Sequence, residues 1–225
     1  MKKRSIKFGT YDTAHRGWTL TGWTLGDPEQ KTNYIEKTGG DGSWDFSTAL
    51  TGGIPRYKDR PLIATFECSK GKRNDRERLI SDMMNTLDGL VWPIVLPDHP
   101  EHYLTGRVHV RVKRSDLAYA EVEVSATCEP WFYSAREKVV EVTDISPTKK
   151  SVELFNGGRR AVSPSFAVGG ASLVRLWYGG LATTLAGNGV YKWPAMVMAP
   201  GVHTLEYLGN TDSTLTITYR EAVLR

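Results

Sequence analysis

The chain has 225 residues, of which 40% are hydrophobic and 24% charged, and its formal net charge is +4. A chain of this length fits one large domain or two small ones, and it buries enough surface to need no disulfide or metal for its core. The small positive charge is divided evenly between residues 1–140 and residues 141–225, so neither part is strongly basic. This argues against a dedicated nucleic-acid-binding surface.

The N-terminal sequence MKKRSIKFG is charged but is not followed by an apolar stretch, so we expect no signal peptide. No segment approaches the ~18 apolar residues of a membrane span, and we expect no membrane association. We therefore expect synthesis and folding in a cytoplasm, where thiols stay reduced. Cys68 and Cys128 are then expected to be small buried strand residues, although a bond between them stays an alternative.

The first part of the chain predicts strands separated by one long irregular segment. WTLTGWTL (18–25) predicts a strand with a bulge at Gly22, and PLIATFEC (61–68) predicts another. Residues 37–60 are rich in glycine and polar residues, and they fit either a long loop or the two sides of an extended hairpin. Long segments of this kind in compact domains are usually functional or interfacial.

One segment predicts an α-helix. In NDRERLISDMMNTLDG the apolar residues recur with a period of 3.6, so they share one face: Leu79, Ile80, Met83, Met84 and Leu87. Asn74 is the expected N-cap, with Glu77 reaching back to it, and Gly89 suits the position just past the helix end. We expect this face to pack on a sheet.

Two strictly alternating segments predict an antiparallel hairpin. RVHVRVK (107–113) and AEVEVSATC (120–128) each place small or apolar side chains on one face, with RSD as the expected turn between them. The basic residues of the first strand would then lie opposite Glu121 and Glu123, which we interpret as cross-strand partners on the sheet surface.

A domain boundary is expected at EVTDISPTKK, residues 141–150, which we interpret as a linker between domains at 1–140 and 151–225. Beyond it, short strands alternate with turn sequences such as NGG, GNG and GNTD. This spacing predicts a β-sandwich of about 80 residues. In its last strand, Leu215, Ile217 and Tyr219 are expected on the buried face.

The best candidate for metal chemistry is PDHPEHY, residues 97–103. His99 and His102 are three residues apart, but Pro97 and Pro100 forbid a regular helix, so nothing aims both rings at one point. We interpret the segment as a connecting turn, with a metal-dependent hydrolase that also uses His109 as the alternative. No nucleophile motif, phosphate loop or C-x-x-C is present, so we expect no enzyme, metal or cofactor.

The second half is rich in aromatic residues. Trp177, Tyr178 and Trp193 lie in the predicted sandwich, and a sandwich can present such rings to a sugar. Core packing is the competing interpretation. A carbohydrate-binding protein that recognises cell-wall glycans is therefore the alternative function.

The order of several short motifs resembles the phage distal tail protein family, found at the tail tip of phages and prophages of Gram-positive bacteria. The stretch GGDGSWDFSTALTGGIPRYKDRPLIATFEC is followed by the helix ending in LDG, by LPDHPEHYLTGRV and by SATCEPWFY. The residues that match the family pattern are Gly40, Asp41, Gly42, Asp45, Ser47, Tyr57, Arg60, Gly106 and Pro130–Phe132. The second half resembles the family's galectin-like sandwich.

The resemblance implies a mainly β protein. Its N-terminal domain would be a sandwich or barrel with one α-helix and an extended loop or hairpin arm, followed by a galectin-like β-sandwich. The implied function is structural: a ring, usually a hexamer, that ends the tail tube, joins it to the adhesion apparatus and leaves a channel for DNA. The implied partners are other copies of the chain, the tail tube protein, the tape-measure protein, the tail lysin or hub, and receptor-binding or baseplate proteins.

The resemblance also implies a location in the virion tail tip, after assembly in the host cytoplasm. In the family, the position of PDHPEHY is an acidic turn. Asp98, His99, Glu101 and His102 are therefore candidate subunit contacts, and the two histidines would make such a contact sensitive to pH near ~6.5.

Overall fold

A computed structural model describes residues 4–116, 118–170 and 173–225. The chain forms two compact units: the first runs to Phe132 and includes Leu224–Arg225, and the second is Tyr133–Val223. The predicted mainly β fold class is confirmed. The break between the units precedes the expected linker, and residues 141–142 and 150 of that linker belong to strands.

The first unit is built on one antiparallel sheet. Its strands follow the spatial order β2-β1-β7-β8-β9-β6-β3, and β4 pairs separately with β5. Their bounds are β1 Lys7–Phe8, β2 Tyr11–Asp12, β3 Thr19–Leu25, β4 Tyr34–Glu36, β5 Ser43–Asp45, β6 Arg60–Cys68, β7 Val91–Val95, β8 His102–Ser115 and β9 Ala120–Cys128. The predicted bulge in β3 is confirmed, because its register against β6 shifts between Leu20 and Gly22.

Alternation along the strands places the core on one face of this sheet. In β6 the residues Leu62, Ala64 and Phe66 are buried while Ile63 is 43% exposed. The pairing of β6 with β9 sets Arg60 opposite Cys128 and Cys68 opposite Ala120. The two cysteines therefore lie at opposite ends of these strands, and both are free and buried. Burial raises the pKa of Cys128 to about 12.

The helix α1, Arg73–Leu87, packs against β8 through Ile80, Met83 and Leu87. The expected cap at Asn74 is wrong, since the helix begins one residue before Asn74 and the backbone N–H of Lys72 donates to Asp75 at 3.0 Å. Glu77 instead accepts a hydrogen bond from Ser115. Met84, expected on the buried face, is 38% exposed.

The end of α1 is tied to the sheet. Gly89 adopts a φ of 75°, as expected for the residue just past a helix, and its N–H donates to the carbonyl of Val108 at 2.8 Å. The carboxylate of Asp88 accepts from the backbone N–H of Val110 at 2.8 Å. These bonds connect the LDG sequence to β8.

The second unit is a β-sandwich, as predicted. One sheet has the order β11-β18-β13-β16 and the other β12-β17-β14-β15, while β19 pairs with β10. The bounds are β10 Phe132–Ser134, β11 Lys138–Val142, β12 Lys150–Asn156, β13 Ser165–Gly169, β14 Leu173–Tyr178, β15 Leu181–Ala186, β16 Gly189–Lys192, β17 Gly201–Gly209, β18 Thr214–Tyr219 and β19 Ala222–Val223.

The core of the second unit lies between its two sheets. Leu154, Phe166, Leu176 and Leu205 are fully buried there. The predicted alternation in β18 is confirmed: its Leu215, Ile217 and Tyr219 are buried, and the threonines between them are more exposed.

Candidate functional site

The segment from residue 27 to residue 59, here called the arm, leaves the first unit between β3 and β6 and returns to it. Its outer part is a two-stranded ribbon in which Tyr34 pairs with Asp45 and Ile35 with Trp44. A single turn of 3-10 helix, Ala49–Thr51, follows. An extended hairpin therefore forms, but its first side, Tyr34–Glu36, precedes residues 37–60, for which a loop or hairpin was expected.

Backbone hydrogen bonds hold the two sides of the arm together along its length. Near its base, Lys31 N–H donates to Arg56 at 2.8 Å and Lys58 N–H donates to Glu29 at 2.8 Å. The side chains of Lys58 and Glu29 also form an ion pair at 3.0 Å. The arm is thus ordered by its own backbone although it has no core.

Large apolar side chains of the arm face solvent. Tyr34, Ile35 and Trp44 are 61%, 53% and 58% exposed, and Leu50 is fully exposed. Isolated two-stranded ribbons are marginally stable in water, and clustered exposed apolar groups mark protein–protein contacts. The arm therefore has the properties of a surface that a partner covers.

Three of the motif residues shape the ribbon. Gly42 has a φ of 77°, a conformation that favours glycine, and it lies in the turn between β4 and β5. The carboxylate of Asp45 accepts from Ser47 N–H at 2.8 Å, and the hydroxyl of Ser47 accepts from Asn33 N–H at 2.9 Å. Hydrogen bonding to the Ser47 side chain and backbone lowers the pKa of Asp45.

Tyr57 and Arg60 form the base of the arm. Tyr57 pairs with Gln30 in an isolated bridge, and its ring meets Trp131 edge to face at 5.6 Å between centroids. Arg60 is 3% exposed. Its guanidinium donates to three backbone carbonyls: those of Gly26 at 2.7 Å, Arg225 at 2.8 Å and Pro130 at 3.4 Å.

Gly106 is a packing position in β8. A Cβ at this position would lie 2.7 Å from Cys128 Sγ and 2.9 Å from the carbonyl oxygen of Thr127. Both distances are too short for a real side chain, so the glycine lets β8 and β9 approach next to the buried thiol.

Replacing Gly106 with alanine is expected to lower the free energy of unfolding by about 1–3 kcal/mol, because the new methyl group must displace Cys128. Urea denaturation followed by tryptophan fluorescence measures the effect. Gly22→Ala is the matched control, since a Cβ there meets nothing within 4 Å and should change stability by at most about 1 kcal/mol. Equal effects of the two substitutions would contradict this account of Gly106.

The PDHPEHY segment is a turn before β8. His99 N–H donates to Leu96 and His102 N–H donates to His99, both at 3.1 Å. Asp98 pairs with Arg4 at 3.6 Å and is exposed, as is Glu101, whereas the two imidazoles are half-buried. A role of these residues as subunit contacts stays a prediction.

The imidazoles lie beside an aromatic ring. His99 and His102 meet Phe132 edge to face at centroid distances of 5.0 and 6.4 Å. The third histidine of the metal alternative, His109, lies on β8 next to Asp88 at 3.7 Å. Among residues 4–116, 118–170 and 173–225, no group of three or more His, Cys, Asp or Glu side chains is placed to hold a metal ion.

The aromatic candidates for sugar contact divide into two kinds. Trp193 is 8% exposed and belongs to the core of the second unit, so it offers no face to a sugar. Trp177 and Tyr178 line an open cleft of about 460 Å³. The Tyr178 hydroxyl bonds to His203 Nδ1 at 2.8 Å.

The ring of Trp177 is already engaged. Lys149 Nζ lies 4.7 Å and Arg175 Cζ 5.2 Å from its centroid. Lys149 also pairs with Glu206 at 2.6 Å. A ligand that stacked on this indole would compete with two cations.

Two features of the site were missed by the sequence interpretation. The composition of residues 37–60 predicts a polar segment, although Trp44 and Leu50 within it carry an apolar signal that the glycines obscure. The contact of Arg225 with Arg60 had no sequence signal, because the two residues are 165 positions apart.

Within the described residues, no helix has the length and apolarity that membrane crossing requires.

The chain was compared with known proteins by sequence and by structure. No family model matches it, and no curated protein matches it in sequence. A solved structure matches it over 96% of this chain and 98% of its own, with a TM-score of 0.65 and 14% identity. That structure is the Dit (gp 19.1) protein of SPP1, described as a paradigm of the hub adsorption apparatus in Gram-positive-infecting phages.

A second solved structure, a de novo designed double-stranded β-helix, covers 39% of this chain with a TM-score of 0.25 and 14% identity, which is too low to indicate a shared fold. The match to the SPP1 Dit protein shows that the two chains share a fold from end to end.

Proposed function

We propose that the chain is a structural subunit of a phage tail hub. The observation that carries the proposal is the exposed apolar arm on a fold that matches the SPP1 hub protein along the whole chain. Because the arm has no core of its own, we expect contact with another subunit to stabilise it. The proposed role is structural and not catalytic.

The proposed assembly is a ring of identical subunits, with six as the expected number. In such a ring each subunit presents two different surfaces, and the arm of one chain would lie on the body of the next. Closure also covers sheet edges that would otherwise pair with other proteins. The small net charge of +4 suits a channel through which DNA passes without being held.

The proposed partners follow from this position at the distal end of the tail. They are the tail tube and tape-measure proteins on one side, and a tail lysin or hub and the receptor-binding or baseplate proteins on the other. The proposed location is the virion tail tip, reached after assembly in the host cytoplasm.

Virion composition tests this proposal. Mass spectrometry of purified particles of the phage or prophage that encodes the chain should find it in a few copies per tail, and antibody labelling should mark the tail tip. Absence from purified particles, or labelling of the head, would overturn the proposed role.

Carbohydrate binding by the second unit is a second candidate, favoured by the cleft beside Trp177, Tyr178, Thr204 and Glu206. A cell-wall glycan array probed with the unaltered chain and with Trp177→Ala tests it. Binding that is lost in the variant would support this function, and absence of binding to every wall glycan would exclude it.

A further inference from the structure

A continuous set of contacts joins the base of the arm to the turn at residues 97–103. Arg60 is the first residue of β6 and therefore the point at which the arm rejoins the sheet. Its Nε donates to Gly26 at 2.7 Å, where the arm departs, and its Nη1 donates to Arg225 at 2.8 Å. One buried guanidinium thus holds both ends of the arm and the backbone of Arg225.

Arg225 extends this set of contacts to a histidine. Its Nη1 lies 3.3 Å from His99 Nδ1. A guanidinium only donates hydrogen bonds, so Nδ1 must act as the acceptor, and it does so only when the imidazole is neutral. A second proton on His99 turns Nδ1 into a donor and places two cations against each other.

The contact between His99 and Arg225 is exposed to solvent, and an aromatic ring lies beside His99. Phe132 is buried, and its ring contacts Arg60, at 5.5 Å from Cζ to the centroid, as well as both imidazoles. Burial, then the charges of Arg225 and His99, lower the pKa of His102, and only Glu101 acts in the opposite direction.

Two other carboxylates face the same groups from neighbouring segments. Asp98, next to His99 in the turn, pairs with Arg4 at 3.6 Å. Asp27, in the arm, interacts electrostatically with Arg60. Asp98 thus pairs with Arg4, Asp27 acts on Arg60 and Glu101 acts on His102. The hydrogen bond from Arg225 to His99 requires a neutral imidazole.

We propose that the His99–Arg225–Arg60 contacts form a proton-sensitive latch that fixes the base of the arm at neutral pH and releases it in acid. Protonation of His99 breaks its bond with Arg225, Arg225 moves away, and Arg60 loses one of its three carbonyl acceptors. The base of the arm is then held to the sheet by fewer hydrogen bonds. The latch lies within a single chain and holds whether or not the arm joins subunits in a ring.

Amide hydrogen exchange tests the latch at pH 7.5 and 5.5, with rates corrected for the intrinsic effect of pH. The reporters are the arm-base amides of Gly26, Lys31 and Lys58, which are all bonded at 2.8 Å. Because opening is linked to the uptake of one proton, it should become up to about tenfold more frequent at the lower pH. Core amides of β9 should not change.

Three variants identify the group responsible. His99→Gln keeps a side-chain acceptor at every pH and should abolish the pH dependence, while Arg225→Ala should exchange fast at both pH values. His15→Gln, at a histidine whose side chain is 88% exposed, should behave like the unaltered chain. Absence of a pH effect in the unaltered chain overturns the latch. The latch is also overturned if His99→Gln keeps the full pH effect on exchange, or if only His102→Gln loses that effect.

Discussion

A chain in which an Asn-Gly turn replaces Tyr34–Asp45 is expected to stay folded but to remain monomeric under conditions in which the unaltered chain assembles. Phe46 N–H donates to Asn33 at 2.8 Å, so the residues on either side of the deletion are already adjacent and a two-residue turn can join them. None of the replaced residues is buried, so the core is unchanged. Light scattering measures the mass, and thermal unfolding checks the fold.

Point variants refine this prediction. Ile35 and Trp44 form a cross-strand pair on the ribbon. Truncating one aromatic anchor of an interface costs about 2–4 kcal/mol, so Trp44→Ser should raise the dissociation constant of assembly roughly 30- to 1000-fold. Val190→Ser, at a 75% exposed position of the second unit, is the matched control. Undiminished assembly by the arm-shortened chain would show that another surface joins the subunits.

Arg60→Ala is expected to destabilise the first unit by about 2–4 kcal/mol. The substitution removes the donor from the carbonyls of Gly26, Pro130 and Arg225. The bond to Pro130 is buried and the other two are partly buried, and each unsatisfied group costs up to about 1–3 kcal/mol. Urea denaturation monitored by tryptophan fluorescence gives the change in the free energy of unfolding.

Two further substitutions show whether the geometry of Arg60 matters. Arg60→Lys keeps the positive charge but lacks the planar guanidinium with its several donors. It should therefore restore only part of the lost free energy of unfolding. Arg78→Ala, at an exposed residue of α1, should change stability by less than about 0.5 kcal/mol. Full recovery by lysine would mean that charge alone, without the three directed bonds, stabilises this site.

The sequence predicts the regular parts of the fold because burial imposes a period on them. Val108 and Val110 in β8, and Leu215 and Ile217 in β18, alternate because one face of each strand is buried. The spacing of Ile80, Met83 and Leu87 reveals α1 for the same reason. At the start of α1, local hydrogen bonds decide where the helix begins, and the sequence pattern alone predicts the wrong cap residue.

The candidate site is less predictable because its residues do not pack on a hydrophobic core. The arm buries almost nothing, so no period marks β4 and β5, and only a resemblance to a family pointed to Asp45 and Ser47. Trp193 and Trp177 look alike in sequence, yet one is in the core and the other lines a cleft. The network around Arg60 joins distant segments of the chain, and only the folded structure reveals it.

Light scattering of the purified chain across a range of concentrations tests self-assembly most directly. For a closed ring we expect a discrete species at six times the mass of one chain, in equilibrium with monomer. This species should disappear when Asn-Gly replaces Tyr34–Asp45. A chain that remains monomeric at every concentration up to the micromolar range, or that grows into open filaments of indefinite mass, would contradict the proposal of a closed hub ring.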